Sequence, residues 1–497
     1  MRNVLALFCG KITYFACKLL GLGAGGTWPG EIALTISPNI LSSLVNQLSK
    51  GVIIVTGTNG KTTTSMMIKK ILESEGYKVI HNDSGANLLN GIVSSYIQYS
   101  DWLGKMKADW GVFEVDENTL PILIKQISNY SSSDSDVNRR SREVSIEKNA
   151  SSRLHSNKKR LIIVLLNLFR DQLDRYGEVD VIAEKWEKAL KQLPTSSPLI
   201  LNADDPLIAH LGKSFVERKD VILVSEERAH PESDTGQARM TNDRKVLYFG
   251  INDPKLFLKE KEHATDSIFC LNCGGRLDYT GIYYSHIGIW KCSNCGEKRP
   301  NPHITSWDAP LPGLYNLYNT LAAVSVAKVL NIKNEEISSA LKGIKPAFGR
   351  QEEFTVNGKK VKIFLSKNPV GFNESLKTVL NLGAKQILFV LNDRIPDGRD
   401  VSWIWDVDFE RIADKRGNEK NRGLTRIVLS GDRCYDLVLR LKYAGISQER
   451  TRIYADLSDA VRESLRNLQS RETLYILPTY SAMLEVRKIL GGRKILY

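Results

Sequence analysis

Gly57-Thr58-Asn59-Gly60-Lys61-Thr62-Thr63 follows directly on the apolar run Val52-Ile53-Ile54-Val55. A buried strand entering a glycine turn, with Lys61 and Thr62 opening a helix over Ser65 to Glu75, gathers backbone N–H groups and a positive helix end around a phosphate. In such a loop Gly57, Thr58, Asn59, Gly60 and Thr63 cradle the phosphates. The Lys61 ammonium reaches the terminal phosphoryl oxygens, and the Thr62 hydroxyl ligates Mg²⁺. The spacing is the short form Gly-x-x-Gly-Lys-Thr, because Val55 stands where the standard loop has its first glycine. The chain is therefore read as binding ATP. A second Mg²⁺ ligand is expected at Glu114, which ends another apolar strand and is followed by Asp116 and Glu117.

The chain has seven cysteines, and four of them, Cys270, Cys273, Cys292 and Cys295, form two Cys-x₂-Cys pairs eighteen residues apart. Each pair presents two thiolates to one ion, and two pairs complete a tetrahedral S₄ site suited to Zn²⁺. Gly274-Gly275 and Gly296 follow the pairs, as tight knuckles require. Four thiolates leave no open position for water or substrate, so the expected role is structural. An odd cysteine total with one tight quartet argues for metal in a reducing compartment rather than for disulfides.

These residues need a scaffold that brings strand ends together. From about residue 50 to 225 apolar strands alternate with amphipathic helices: Gly51–Val55, Lys78–His81, Trp110–Val115, Leu161–Leu166, Pro198–Leu201 and Val221–Val224. Such alternation implies an α/β fold with a parallel, doubly wound sheet and ligands at the carboxyl ends of its strands. The expected central ATP-binding domain spans 50–313, with a zinc ribbon at 266–303 and a disordered insertion at 129–158, rich in Ser, Asn, Asp and Arg. A second, Rossmann-like α/β domain is expected over 314–497, with strands at Val361–Leu365, Gln386–Val390, Arg426–Leu429 and Thr473–Ile476. Residues 1–49 supply a short amphipathic helix and a glycine-rich turn packed on the central domain.

At 497 residues the chain holds two or three domains. Its net charge of +13 is spread along the sequence, with one dense run at Lys158-Lys159-Arg160. No Lys/Arg cluster interleaved with aromatics stands in an ordered stretch, which argues against a nucleic-acid partner. Lys11 and Lys18 break the N-terminal apolar run, and no segment approaches the roughly 18 apolar residues of a membrane span. The chain is read as cytoplasmic, with its N-terminal helix a candidate to rest on the inner membrane surface.

The phosphate loop, Phe113-Glu114-Val115-Asp116-Glu117, the stretch Asn167 to Glu178 and Leu201-Asn202-Ala203-Asp204-Asp205-Pro206 together resemble the central domain of the Mur ligases. Tyr315 to Ala323 resembles that family's nucleotide-contacting helix, and Phe348-Gly349-Arg350-Gln351-Glu352 its interdomain segment. The cysteine ribbon, Lys367-Asn368-Pro369 with Gly371-Phe372-Asn373, and Asp397 to Asp406 resemble one amidating branch of it. The resemblance implies a ligase that uses ATP to phosphorylate the α-carboxylate of D-glutamate in the lipid II stem peptide. Ammonia from a separate glutaminase subunit, GatD, then gives D-isoglutamine. It further implies that Lys61 stabilises the γ-phosphate, that Thr62 and Glu114 hold Mg²⁺, that Asn319 contacts adenine and that Arg350 contacts phosphate. Asp406 or Asp400 would complete the catalytic triad of the glutaminase. Gln172 stands where Mur ligases carry a histidine, Asp83 where an arginine is expected, and Lys185 near the family's carbamylated lysine. A stand-alone amino-acid ligase and a zinc-ribbon ATPase acting on nucleic acid are the alternatives.

Overall fold

The structure is a computed structural model that describes residues 2–20, 26–83, 85–131, 159–171, 179–194, 196–216, 245–346, 349–413, 424–469 and 472–491. The strand expected at Val221–Val224, the stretch Gln172–Glu178 and the expected insertion from residue 132 onward lie outside them.

Six parallel strands form the central sheet: β1 (Gly51–Thr56), β2 (Val79–His81), β3 (Trp110–Glu114), β4 (Arg160–Leu165), β5 (Leu199–Asn202) and β6 (Val246–Phe249). Their spatial order is β2-β3-β1-β4-β5-β6. β1 and β3 are buried along their whole length, which is why they read as unbroken apolar runs: helices cover both faces. One face carries α1 (Arg2–Leu19), α2 (Trp28–Ile36), α3 (Ile40–Val45), α5 (Leu89–Tyr99), α6 (Thr119–Ser131), α7 (Val179–Leu190) and α8 (Pro206–Val216). The opposite face carries α4 (Lys61–Ser74), α9 (Leu314–Val329) and α10 (Asn334–Lys342). No described helix is long and apolar enough to cross a membrane.

An antiparallel hairpin, β7 (Leu277–Tyr284) and β8 (Ile287–Cys292), carries the cysteine pairs and is inserted between β6 and α9. The second sheet has the order β13-β12-β11-β14-β10-β9. It comprises β9 (Arg350–Val356), β10 (Lys359–Phe364), β11 (Gln386–Val390), β12 (Arg426–Ser430), β13 (Thr451–Ile453) and β14 (Thr473–Pro478). Helices α11 (Pro369–Asn381), α12 (Cys434–Tyr443), α13 (Leu457–Arg466) and α14 (Tyr480–Leu490) flank it. All its pairings are parallel except β9–β10, a hairpin turned by Asn357 and Gly358 at φ 49° and 74°, the pairing that a two-residue hairpin loop favours.

One boundary differs from expectation. The break expected at Pro312-Gly313 does precede a helix, but Leu321, Val324 and Val326 of α9 share a core with Ile53 of β1 and Met67 of α4. Apolar surface decides which sheet a helix joins. We therefore draw the division between the domains after α10, where the chain enters β9, and not at 313–314.

Candidate functional site

The loop after β1 is shaped by its glycines. Gly57 and Gly60 sit at φ 137° and 94°, a region open to glycine at little cost. A Cβ on Gly60 would stand 2.1 Å from Asn319 Oδ1, and one on Gly57 would meet the Asn167 backbone at 2.9 Å. The helix begins at Lys61, so its first free N–H groups belong to the loop itself.

The end of β4 clamps this loop from the side. Asn59 N–H donates to Asn167 Oδ1 (2.8 Å), Asn167 Nδ2 donates to the Asn59 carbonyl (3.0 Å), and Thr58 N–H donates to the Asn167 carbonyl (3.0 Å). Phe169 N–H adds a bond to Thr58 Oγ1 at 3.0 Å. Lys61 is almost wholly buried, and its ammonium donates to the carbonyls of Gly57 (2.6 Å) and Thr58 (3.2 Å) and to Glu117 Oε1 (3.1 Å). Burial raises the Glu117 carboxyl above its ordinary pKa, with Lys61 and then Lys367 pulling the other way.

Glu114, the last residue of β3 and in register with Val55 of β1, is buried and leaves its Oε2 without a hydrogen-bond partner. An orphaned carboxylate oxygen beside a phosphate loop suits a hard cation, and Thr62, half-exposed at the start of α4, offers the hydroxyl. The donor set therefore fits Mg²⁺.

A cleft opens between the two domains, with Asn59, Gly60, Thr63, Asn319 and Arg350 on its walls, the kind of concave interdomain position where small-molecule and cofactor sites form. Five residues from three distant segments thus meet. Asn319 Oδ1 also accepts from Thr64 Oγ1 at 3.3 Å, so α9 is fastened to α4 beside the loop. Tyr284 and Glu374 line the same cleft. Burial pushes the Glu374 carboxyl up to about 7, and Glu262 adds to this against Lys377.

Bonds across the domain boundary hold the cleft. Lys367 pairs with Asp171 at 2.6 Å, Asn368 Nδ2 donates to Asn59 Oδ1 at 3.1 Å, and Lys377 pairs with Glu262 at 2.9 Å. Burial works against the Lys367 charge, but Asp171 and Glu117 overcome it and raise its pKa. Glu117, Asn167, Asp171, Lys367 and Asn368 fall in segments that the sequence marks out, the first three after strand ends and the last two just before a helix, but none of the five was expected as a site residue.

Asp400 and Asp406 stand apart from these groups. Asp400 is exposed just before a short 3₁₀ turn (Ser402–Asp406), accepting from Ser402 N–H at 2.8 Å and Ser402 Oγ at 2.9 Å; these bonds lower its pKa. Asp406, half-exposed, faces Arg170 at 3.5 Å. Between them in sequence, Trp405 is exposed, its ring 5.6 Å from that of Tyr443 of α12 and tilted against it by 59°. Asp83 pairs with His81 (2.8 Å) and Lys69 (2.9 Å); burial opposes them, yet together they bring its pKa down to about 2. Lys185 is exposed, 3.3 Å from Asn118 Oδ1.

Cys270, Cys273, Cys292 and Cys295 converge, with all four sulfurs within 4.8 Å of one another. The Cys270–Cys295 and Cys273–Cys292 sulfurs are 3.8 and 3.5 Å apart, close to the ~3.8 Å edge of a tetrahedron with Zn–S bonds of about 2.3 Å. Backbone N–H groups of Gly275 and Asn294 point at Cys273 and Cys292 sulfurs at 3.4 Å each. The quartet thus fits Zn²⁺. Beyond it the hairpin is pinned by Trp290 Nε1, which donates to the Ala203 carbonyl at 3.1 Å, and it ends in Tyr284 at the cleft.

A central parallel sheet with this loop, joined to a second α/β domain, is the architecture of Mur-type ligases. Residues 55–262 match the Mur ligase middle domain and residues 365–483 the MurT ligase C-terminal domain. Among solved structures, a pseudomurein peptide ligase type C from Methanothermus fervidus matches with a TM-score of 0.57 at 18% identity, over 91% of this chain and 81% of that one. MurF from Acinetobacter baumannii matches with a TM-score of 0.55 at 14% identity, over 93% and 80%. The lipid II isoglutaminyl synthase (glutamine-hydrolyzing) subunit MurT of Staphylococcus aureus strain COL is 30% identical over 90% of this chain and 89% of its own length. The subunit of the same name from Streptococcus pneumoniae is 29% identical over 100% and 98%. The chain belongs to this MurT family of Mur ligases.

Proposed function

We propose that the chain is the ligase subunit of a lipid II isoglutaminyl synthase, amidating the α-carboxylate of D-glutamate in the lipid II stem peptide. A carboxylate does not react with ammonia until its oxygen is made a leaving group. ATP supplies the phosphoryl group: the carboxylate oxygen attacks the γ-phosphorus, ADP departs, and ammonia then displaces phosphate from the acyl carbon, losing a proton to give the amide. The work left to the protein is charge neutralisation and positioning.

In this reading the Gly57–Thr63 loop receives the phosphates and Lys61 exchanges its loop carbonyls for terminal phosphoryl oxygens. Thr62 and Glu114 would hold Mg²⁺, which supplies further charge neutralisation. Asn319 faces the base, and Arg350 reaches the phosphates from the second domain. The observation that carries the reading is the buried Lys61 ammonium, held in a loop whose neighbours Asn59 and Gly60 wall an interdomain cleft. The quartet of cysteines is assigned a structural Zn²⁺ that braces the hairpin bearing Tyr284.

A glutaminase partner, GatD, is assigned to the surface around Asp400 and Asp406, where exposed Trp405, Tyr435, Leu439 and Tyr443 offer an apolar and aromatic docking face. Because lipid II is membrane-held, the reading puts the enzyme at the cytoplasmic membrane face. The test is conversion of lipid II with ATP and ammonium chloride, followed by mass spectrometry. Exchange of one hydroxyl for one amino group supports amidation; growth of the peptide on addition of free amino acids, without that exchange, would replace it with the stand-alone ligase.

A further inference from the structure

Helix α1 is apolar on two faces, and the fold uses one of them. Ala6, Leu7, Gly10 and Cys17 are buried. Lys11 is buried with them, its ammonium donating to the carbonyls of Ile97 (2.7 Å) and Gln98 (3.2 Å) at the end of α5. The other face carries Val4, Leu5, Phe8, Ile12, Phe15 and Leu19, each between 44% and 88% exposed. At 3.6 residues per turn these six share an arc of roughly 100° and run about 22 Å along the helix.

The stripe continues beyond the helix. Trp102, half-exposed, lies 5.1 Å from Phe15 with the rings nearly parallel, and 6.2 Å from Phe8. Leu103 beside it is 68% exposed. A contiguous exposed apolar surface of this extent marks an interaction site.

We infer that this face docks on an anionic lipid bilayer, with α1 lying in the plane of the interface. The choice of bilayer follows from charge and from aromatic content, and rests on the proposed lipid-linked substrate. Helix α1 carries Arg2, Lys11 and Lys18 and no acidic residue. Arg2 and Lys18 are exposed at its two ends, and Lys105 and Lys107 are exposed in the loop that carries Trp102. Asp101 in that loop is engaged by the N–H groups of Leu103 (2.9 Å) and Lys105 (2.8 Å). Basic residues rimming an apolar face are drawn to anionic headgroups, and Trp and Phe side chains suit the boundary between headgroup and acyl chain. Held this way, the enzyme meets a precursor whose anchor stays in the membrane.

The test is sedimentation of the full-length chain with vesicles of phosphatidylglycerol and phosphatidylethanolamine, or of phosphatidylcholine alone. Binding to the anionic vesicles that weakens as salt rises is expected. The double variant F8E/F15E, altered at two half-exposed positions, should partition at least tenfold more weakly. It should amidate a water-soluble precursor analogue lacking the lipid at the unaltered rate. Equal vesicle binding by variant and wild type overturns the inference, as does wild-type chain that stays in the supernatant. So does a concentration-dependent dimer abolished by the same substitutions, since a second copy would then cover the face. Amidation of the soluble analogue is scored separately: its failure in the wild type would sink the proposed function, while the vesicle assay still decides the docking.

Discussion

Replacing Lys61 with methionine should separate what this lysine does for the fold from what it does for phosphates. Its ammonium and Glu117 Oε1 are 3.1 Å apart, with both side chains 7% exposed. Removing one partner of a buried pair costs about 3–5 kcal/mol, because the other charge is left without compensation. Glu117 can escape by taking up a proton, at about 1.4 kcal/mol for each pH unit between its pKa and the solution. The sign follows from the direction of its shift. Burial already holds the folded-state pKa above the unfolded value, so this group favours the folded state most at low pH and loses that contribution as pH rises through its folded pKa. Without Lys61 the folded pKa rises further, and the cost of Lys61→Met must grow with pH. We expect about 3 kcal/mol near pH 8 and clearly less near pH 5.5, read by urea denaturation. The corresponding melting shift is about 2–4 °C per kcal/mol. Adding Glu117→Gln should restore most of the stability and none of the ammonia-dependent ligase activity. A pH-independent loss would refute the pairing, and a folded K61M/E117Q protein with wild-type turnover would refute the phosphate role.

Gly60→Ala places a Cβ 2.1 Å from Asn319 Oδ1 at φ 94°; roughly 1–2 kcal/mol of backbone strain, with Asn319 displaced, should weaken ATP binding about tenfold by calorimetry. Elemental analysis should find one zinc per chain, lost in Cys292→Ser. Stripping it should lower the melting temperature, and an unchanged melt would remove the structural role. Asp406→Asn and Asp400→Asn, assayed with the glutaminase bound, should separate the two candidates: the one that serves the partner loses glutamine-dependent turnover by roughly 10³ or more. It keeps ammonium-dependent turnover, and equal losses with both donors would tie the residue to the ligase instead.

The central sheet was legible because strands buried on both faces leave a simple trace: Val52 to Val55 and Ile162 to Leu165 can only be apolar. The strands not expected are β6, the hairpin strands β7 and β8, and β9 and β13, of which the last two need no such run. β9 begins Arg350-Gln351-Glu352-Glu353 at a sheet edge with one solvated face, and β13 has three residues, two of them exposed. Helix α9 was found, but its allegiance was not. Pro312-Gly313 looks like a domain break, and nothing local says that Leu321 and Val324 face β1 and not the second sheet. The site divides the same way. Gly57 to Thr63 and the cysteine pairs are contiguous motifs, whereas the Lys61–Glu117 pair spans 56 residues and the Asn59–Asn368 pair 309, so only folding brings them together.

Those long-range pairs also bear on how the two halves of the reaction are joined. Asn59 of the phosphate loop bonds Asn368, and the preceding Lys367 holds Asp171. Arg170, next to Asp171, faces Asp406 on the surface assigned to the glutaminase. Each link joins the central domain to the second domain, and the first and last lie at the loop and at the partner face. A rotation of one domain against the other that stretches the Asn59–Asn368 contact also acts on Arg170–Asp406 unless its axis runs through that pair, because Asn368 and Asp406 both belong to the second domain, whereas Asn59 and Arg170 both belong to the first. For every other axis, a closure of the cleft would move the aspartate face with it. One wall of the cleft and the proposed docking surface are thus carried by one domain, although among the described residues no single side chain belongs to both.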